Sequence, residues 1–190
     1  MQSRREGGPR RSTRARGMTL TEIMVAITVL SVSLLAYCAA IGATIRNNNL
    51  TRETALATQA ARRTIETLKA TPFAQVFRLY NGDRGDDPGG IGTAPGRHVA
   101  VGGLQARPGD ADGTVGEIIF PTPAPNSANL RENLVDTLLG TPRDLNGDGA
   151  IDALDHSGDY RILPVIVRMS WIGPAGPGRV EFRTLLADIP

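Results

Sequence analysis

An uninterrupted apolar run of 23 residues, from Ile23 to Ile45, constrains this chain more than any other feature of its sequence. The run contains no charged residue and no proline. As a helix rising about 1.5 Å per residue, it is long enough to cross a bilayer core of roughly 30 Å. No second segment of this kind occurs in the 190-residue sequence. We therefore expect one membrane helix near the N-terminus, which in its simplest forms would be a signal anchor or a cleaved secretory signal.

The positive charge of the chain is concentrated in front of this run. Residues 1–17 hold six arginines and one acid, whereas the remaining residues carry 15 basic and 18 acidic side chains. Because basic residues mark the cytoplasmic flank of a membrane helix, the N-terminus should stay in the cytoplasm and everything after Arg46 should lie outside. The rest of the chain is slightly acidic and aromatic residues are only 4% of the whole, so we expect no nucleic-acid partner.

A single carboxylate, Glu22, stands at the start of the apolar run. A carboxylate at the edge of hydrocarbon costs about 2–3 kcal/mol and usually has a functional partner, although a position at the membrane interface would also explain it. The segment around it reads Gly17-Met18-Thr19-Leu20-Thr21-Glu22-Ile23, after a basic leader and before the apolar run. This combination resembles the class III signal of the type IV prepilins and of the type II secretion pseudopilins.

The resemblance implies a defined processing reaction. In that family, prepilin peptidase cleaves after a glycine that ends the leader, and the fifth mature residue is Glu. Carried over to this chain, cleavage falls between Gly17 and Met18, Met18 becomes N-methylated, and Glu22 acts in assembly. The new amino group of one subunit would meet Glu22 of a neighbour, since two ions among apolar helices are tolerable only as a pair. A mature chain starting with Met18, where the family more often has Phe, departs from the major-pilin pattern.

The resemblance also implies partners and a location. The partners would be other pilin or pseudopilin subunits, the prepilin peptidase and the inner-membrane assembly platform. The chain would first be a single-pass protein of the bacterial inner membrane with its head outside the cytoplasm. It would then enter a periplasmic or extracellular filament.

The helical pattern continues beyond the membrane segment. Small or apolar residues recur at helical spacing between residues 50 and 70, and Glu53 is placed among the charged residues of the other faces. Pro72 should end the helix. The chain is thus predicted to comprise a cleaved basic leader, a transmembrane and filament-core helix, an amphipathic continuation of that helix and a globular head, at residues 1–17, 18–46, 47–71 and 72–190.

The head is predicted to be a small sheet joined by long loops. Gly, Pro and Asp punctuate residues 73–130, and a short helix is expected after Asn129. The expected fold class is α+β and pilin-like, with a long N-terminal helix packed on a small C-terminal antiparallel sheet. At the C-terminus, residues 165–171 and 180–185 flank a Gly-rich turn, and this hairpin pattern resembles the end of PilV-type minor pilins and GspI-type minor pseudopilins. Strands are predicted at Arg97–Val101, Val115–Phe120, Arg161–Ser170 and Arg179–Ala187.

Residues 144–155 match a twelve-residue calcium loop. Oxygen-bearing side chains occupy positions 1, 3, 5, 9 and 12, with Gly149 at position 6 and Ile151 at position 8. Four carboxylates in one loop repel one another until a cation neutralises them, so the predicted cofactor is a structural calcium ion. The alternative is an acidic surface turn that binds nothing. The predicted ligands are Asp144, Asn146, Asp148, the carbonyl of Ala150, Asp152 and Asp155.

The sequence gives no support for catalysis. His98 and His156 have no Cys or Glu companions at zinc-site spacing, and His156 is interpreted as a polar loop residue. The interpretation is therefore a non-enzymatic minor pilin subunit of a type IV pilus or related filament. One alternative is a minor pseudopilin of a type II secretion system. Another is a membrane-anchored calcium-binding or adhesive ectodomain that never polymerises, which would need neither Gly17 nor Glu22.

Overall fold

The computed structural model describes residues 17–110 and 112–188, so most of the predicted leader lies outside the described residues. Contacts divide the chain into two compact units, Met1–Thr44 and Ile45–Pro190. The architecture is the predicted α+β, pilin-like one, with a long N-terminal helix and a small antiparallel sheet. Its elements are α1 (Leu20–Ala70), α2 (Phe73–Tyr80), β1 (His98–Val99), β2 (Gly116–Ile119), β3 (Ile162–Gly173) and β4 (Gly176–Ala187).

In the described part of the first unit, the N-terminal part of α1 exposes its apolar side chains. The helix is long and apolar enough to cross a membrane, and its most apolar stretch is not buried. Its hydroxyl groups are satisfied within the helix, because Thr28, Ser33 and Thr44 donate to backbone carbonyls four residues earlier at 2.7–3.0 Å. This surface therefore presents few unpaired polar groups to its surroundings.

In the second unit, α1 packs one face against the sheet. Ala57, Ala61 and Leu68 are fully buried, and Ala60 and Ile65 pack at the edge of the same core. The predicted amphipathic face is thereby confirmed, and α1 ends at Ala70, two residues before the proline predicted to stop it.

The assignment of residue 53 to a solvent-facing position was wrong. The Glu53 side chain is only 7% exposed and extends the buried stripe of α1 by one turn. A glutamate at a core position is uncommon unless a specific partner holds it, which is why the helical pattern alone did not reveal it.

A second helix, α2, replaces the loop predicted directly after Pro72. Val76, Phe77 and Tyr80 of α2 are buried, and the Phe77 ring meets Phe120 edge-on at a centroid distance of 5.4 Å. The helix is only 8 residues long, so its periodicity was too short to stand out beside the Gly- and Asp-rich segment that follows.

The sheet has the order β1-β2-β3-β4, with all neighbours antiparallel. All four predicted strands are present, although β1 and β2 are shorter than expected and the hairpin strands extend further into their turn. The pairing between β2 and β3 covers only Ile166–Met169 of β3. Pro164 lies outside that pairing, where β4 alone flanks β3, and so proline is tolerated there.

The helix predicted after Asn129 is absent from the described structure. Residues 129–140 instead form an irregular segment with an isolated bridge between Asp136 and Thr141. Glu132, which follows Asn129 by three residues, turns its carboxylate toward the acidic loop and accepts the backbone N–H of Leu145 at 2.6 Å. The Glu132 side chain therefore bonds to a segment 13 residues later in the chain.

A buried polar contact joins α1 to the hairpin. The indole Nε1 of Trp171 donates to Glu53 Oε2 at 3.1 Å, and Trp171 is 1% exposed. Two glycines make room for it: a Cβ on Gly173 would lie 2.2 Å from Glu53 Oε1, and a Cβ on Gly178 would lie 2.2 Å from Trp171 Cζ2. The contact therefore dictates the residue type at both hairpin positions.

Replacing the acceptor of this contact should destabilise the head. Glu53→Ala leaves the buried indole N–H unpaired, and the free energy of unfolding should fall by about 1–3 kcal/mol. The measurement is urea unfolding followed by fluorescence, to which Trp171 contributes the only tryptophan signal. The matched control is Glu66→Ala at an exposed position of the same helix, which should change the unfolding free energy by less than about 0.5 kcal/mol. Equal effects of the two variants would contradict the assigned role.

Candidate functional site

The predicted cleavage position lies just before α1. Gly17 and Met18 are exposed and precede the first helical residue, Leu20. Thr19 caps the N-terminus of α1, because its Oγ1 accepts the backbone N–H of Glu22 at 3.3 Å. The Gly17–Met18 peptide bond is therefore outside the helical hydrogen-bond pattern and open to solvent.

Glu22 occupies the first turn of α1 and is exposed. A carboxylate at this position interacts favourably with the helix macrodipole. Within the described part of the chain, Glu22 forms no ion pair. Its carboxylate is thus available to a group from outside the chain.

The first half of the predicted calcium loop is organised by its own side chains. Asp144 accepts the backbone N–H of Gly147 at 2.5 Å and that of Gly149 at 2.8 Å. Asn146 and Asp148 each accept the N–H two residues further on, at 3.0 and 2.8 Å. Gly147 and Gly149 have positive φ values of 80° and 87°, which explains why glycine occupies both positions of this tight loop.

These hydrogen bonds have an electrostatic consequence. The N–H groups of Gly149 and Gly147 stabilise the ionised carboxylate of Asp144 and lower its pKa below the ordinary value. The pKa of Asp152 is lowered in the same way, mainly by a hydrogen bond from the backbone N–H of Leu154 and also by the hydrogen bond with His156. Both carboxylates are therefore fully charged at neutral pH.

Asp155, the predicted last ligand, makes contacts with other segments. Its Oδ1 accepts the backbone N–H groups of Leu130 and Ser157, both at 3.0 Å, and its Oδ2 lies 3.0 Å from the Ser157 hydroxyl. The carboxylate thus ties the end of the loop to the segment that contains Glu132.

A buried cluster next to this loop was not foreseen. Glu132 is 1% exposed and His156 is 3% exposed. The His156 Nε2 atom lies 3.1 Å from Asp152 Oδ1 and 3.7 Å from Glu132 Oε2, while its Nδ1 lies 3.2 Å from Asp159 Oδ1. The interpretation of His156 as a plain polar loop residue was therefore wrong, since the imidazole is the centre of a carboxylate cluster.

The surroundings of His156 act on its pKa in opposite directions. Burial alone would lower the pKa, but the hydrogen bond to Asp152 and the negative charges of Glu132 and Asp159 outweigh it and raise the pKa above the ordinary value.

The structure brings the predicted metal ligands together only in part. Among the described residues, Glu132, Asp152 and His156 form a group whose ligand atoms all lie within 4.8 Å of one another. Asp152 is the one predicted calcium ligand in this group, which does not include Asp144, Asp148 or Asp155. Sequence spacing could not find the group because Glu132 is 20 residues from Asp152 and comes from a different segment.

Comparison with known proteins assigns the N-terminal motif. Residues 12–37 match the family described as the prokaryotic N-terminal methylation motif. No curated protein and no solved structure significantly matches this chain. The match covers Gly17, Met18 and Glu22 and supports a type IV pilin-like or pseudopilin protein that prepilin peptidase processes.

Proposed function

We propose that this protein is a minor pilin, a structural subunit of a type IV pilus or a related filament. The observation that carries the proposal is the methylation motif at residues 12–37, which runs directly into the exposed apolar part of α1. The protein would act by polymerising, and enzymes would act on it as a substrate.

The chemistry of the first unit supports assembly in two stages. Exposed apolar side chains such as Leu30, Leu34 and Leu35 are stable only in lipid or against other apolar helices. The helix would therefore reside in the inner membrane after synthesis and then move into a bundle of identical or related helices. Prepilin peptidase, an assembly platform and other pilin subunits are the partners that this route requires.

The two charges at the start of the mature chain would set the position of each subunit. Cleavage after Gly17 creates a cationic amino group on Met18, and the carboxylate of Glu22 has no ionic partner among the described residues. Burying either charge alone in a helix bundle is costly, so pairing between neighbouring subunits is favoured and fixes their axial register.

Two other functions compete with this proposal. A minor pseudopilin of a type II secretion system would use the same motif and the same helix. A membrane-anchored ectodomain that does not polymerise would use the helix alone. The motif favours the two polymerising candidates, and a mature N-terminal Met18 in place of the more frequent Phe favours a minor subunit of either system.

Calcium is proposed as a structural ligand of the acidic loop. The donor set consists of hard oxygen atoms on alternate residues, which suits calcium, and Asp144 is ionised and oriented by two backbone N–H groups. The ion would neutralise the mutual repulsion of the loop carboxylates and act on the stability of the head.

Processing should remove residues 1–17. Mass spectrometry of the protein from a host that contains prepilin peptidase should find a mature chain that begins with N-methylated Met18. Gly17→Leu should retain the leader, because a bulky side chain replaces the small one before the cleaved bond. Ser12→Leu, within the leader, is the control and should be processed normally. A wild-type chain that keeps Met1 would refute the assignment.

Glu22 should be needed for assembly and dispensable for membrane insertion. Glu22→Ala leaves the apolar run intact, so membrane fractionation should be unchanged while the amount of subunit in sheared filaments falls by about tenfold or more. The neighbouring exposed substitution Thr21→Ala should leave incorporation near the wild-type level. If Glu22→Ala assembles normally, Glu22 is an interfacial residue with no part in register.

Calcium should raise the melting temperature of the second unit, residues 45–190. With a dissociation constant near 0.1 mM and about 2 mM calcium, the expected rise is about 4–8 °C. Asp148→Asn should abolish most of the rise, whereas Asp110→Asn, at an exposed position outside the loop, should keep it. An unmoved melting curve together with an absence of heat in titration calorimetry would identify the loop as an ordinary acidic turn.

A further inference from the structure

We propose that Glu132, Asp152 and His156 form a binding site for a divalent transition-metal ion of the zinc class. The ligand atoms of the three residues lie within 4.8 Å of one another, and Glu132 and His156 are almost completely buried. This trio is a different ligand set from the calcium loop and shares only Asp152 with it.

The distances around His156 Nε2 fit a tetrahedral metal centre. Zinc binds imidazole nitrogen and carboxylate oxygen at about 2.0–2.2 Å, which places neighbouring ligand atoms of a tetrahedron about 3.4 Å apart. The distances from Nε2 to Asp152 Oδ1 and to Glu132 Oε2 are 3.1 and 3.7 Å, on either side of that value. Small side-chain movements would therefore complete the geometry, with water as the fourth ligand.

The surroundings orient two of the three ligands, His156 and Glu132. Asp159 Oδ1 lies 3.2 Å from His156 Nδ1, where it can accept the Nδ1–H and leave the lone pair of Nε2 for a metal. Such carboxylate–histidine pairs are a regular feature of metal sites in proteins. Glu132 is held through its other oxygen, Oε1, by the N–H groups of Leu145 and Asn146 at 2.6 and 3.2 Å.

The charge of the cluster also favours a bound cation. Glu132, Asp152 and Asp159 all converge on the single imidazole of His156, and no Lys or Arg forms an ion pair with them in the described part of the chain. One imidazolium leaves two negative charges uncompensated around a buried carboxylate. A dication bound to neutral imidazole leaves only one uncompensated negative charge, which lowers the free-energy cost of burying the Glu132 carboxylate.

The ligand types select the metal. Calcium takes oxygen ligands, whereas imidazole nitrogen favours zinc and its neighbours in the first transition row. Both sites can be filled at once, because position 9 of a calcium loop, here Asp152, often acts through a water molecule.

Metal titration of the full-length chain in detergent tests the site. Zinc, measured by competition with a chromophoric chelator in the presence of excess calcium, should bind with a stoichiometry of one. His156→Gln should weaken zinc binding by at least about 100-fold, and Asp159→Asn by about 10–100-fold. The matched control is His98→Gln, which removes an imidazole paired with the single carboxylate Asp112 and should leave zinc affinity unchanged.

A second measurement covers the case in which His156→Gln does not fold. Zinc X-ray absorption on the wild-type chain should show an imidazole in a mixed nitrogen and oxygen shell. Asp144→Asn, a calcium-loop variant outside the trio, should retain zinc binding while it loses the calcium response. The proposal is overturned if the wild-type chain binds no zinc, if its zinc lacks an imidazole ligand, or if folded His156→Gln binds zinc as tightly as the wild type.

Discussion

The hydrogen bond between Trp171 and Glu53 is the contact on which the arrangement of the head depends. It joins the second unit's part of α1 to β3 through two buried side chains that lie 118 residues apart in the sequence. Around it, Ala57 and Ala61 allow the helix to lie close to the sheet, and Gly173 and Gly178 leave space for the carboxylate and the indole. A carboxylate acceptor in a buried interface also favours one axial position of the helix over the others, because any slip would leave the indole N–H and the carboxylate unpaired.

The elements that depend on local pattern could be predicted from the sequence. The apolar run predicted the N-terminal half of α1, the spacing of Ala57, Ala61 and Leu68 predicted its buried face, and two strand segments around a Gly-rich turn predicted the hairpin. The buried charged residues could not be predicted, because a charged side chain is placed on the surface until its partner is known. The partner of Glu53 comes from β3, and those of Glu132 come from the loop more than ten residues later.

The region from residue 130 to residue 160 also depends on carboxylates, which here bond to backbone groups. It contains little regular structure, so its backbone groups are paired by side chains: Glu132 and Asp155 accept N–H groups from distant segments, and Asp144 accepts those of its own turn. The carboxylates that would bind metal are thus the same ones that hold the fold together. Spacing identified the oxygen-rich loop but did not identify the buried imidazole beside it, because Glu132, which contacts that imidazole, lies 20 residues before Asp152.

The sequence separation of Glu53 and Trp171 has a consequence for biosynthesis. At an elongation rate of about 5–20 residues per second, a chain takes roughly 6–24 s to add the 118 residues between them. Throughout that interval the inner face of the helix has no sheet to cover it. Next to Glu53 on this face lie Ala57 and Ala61, whose small side chains offer little apolar surface to chaperones or to other nascent chains. The same small side chains that allow close packing thus limit the apolar surface that this part of the helix exposes before the sheet is made.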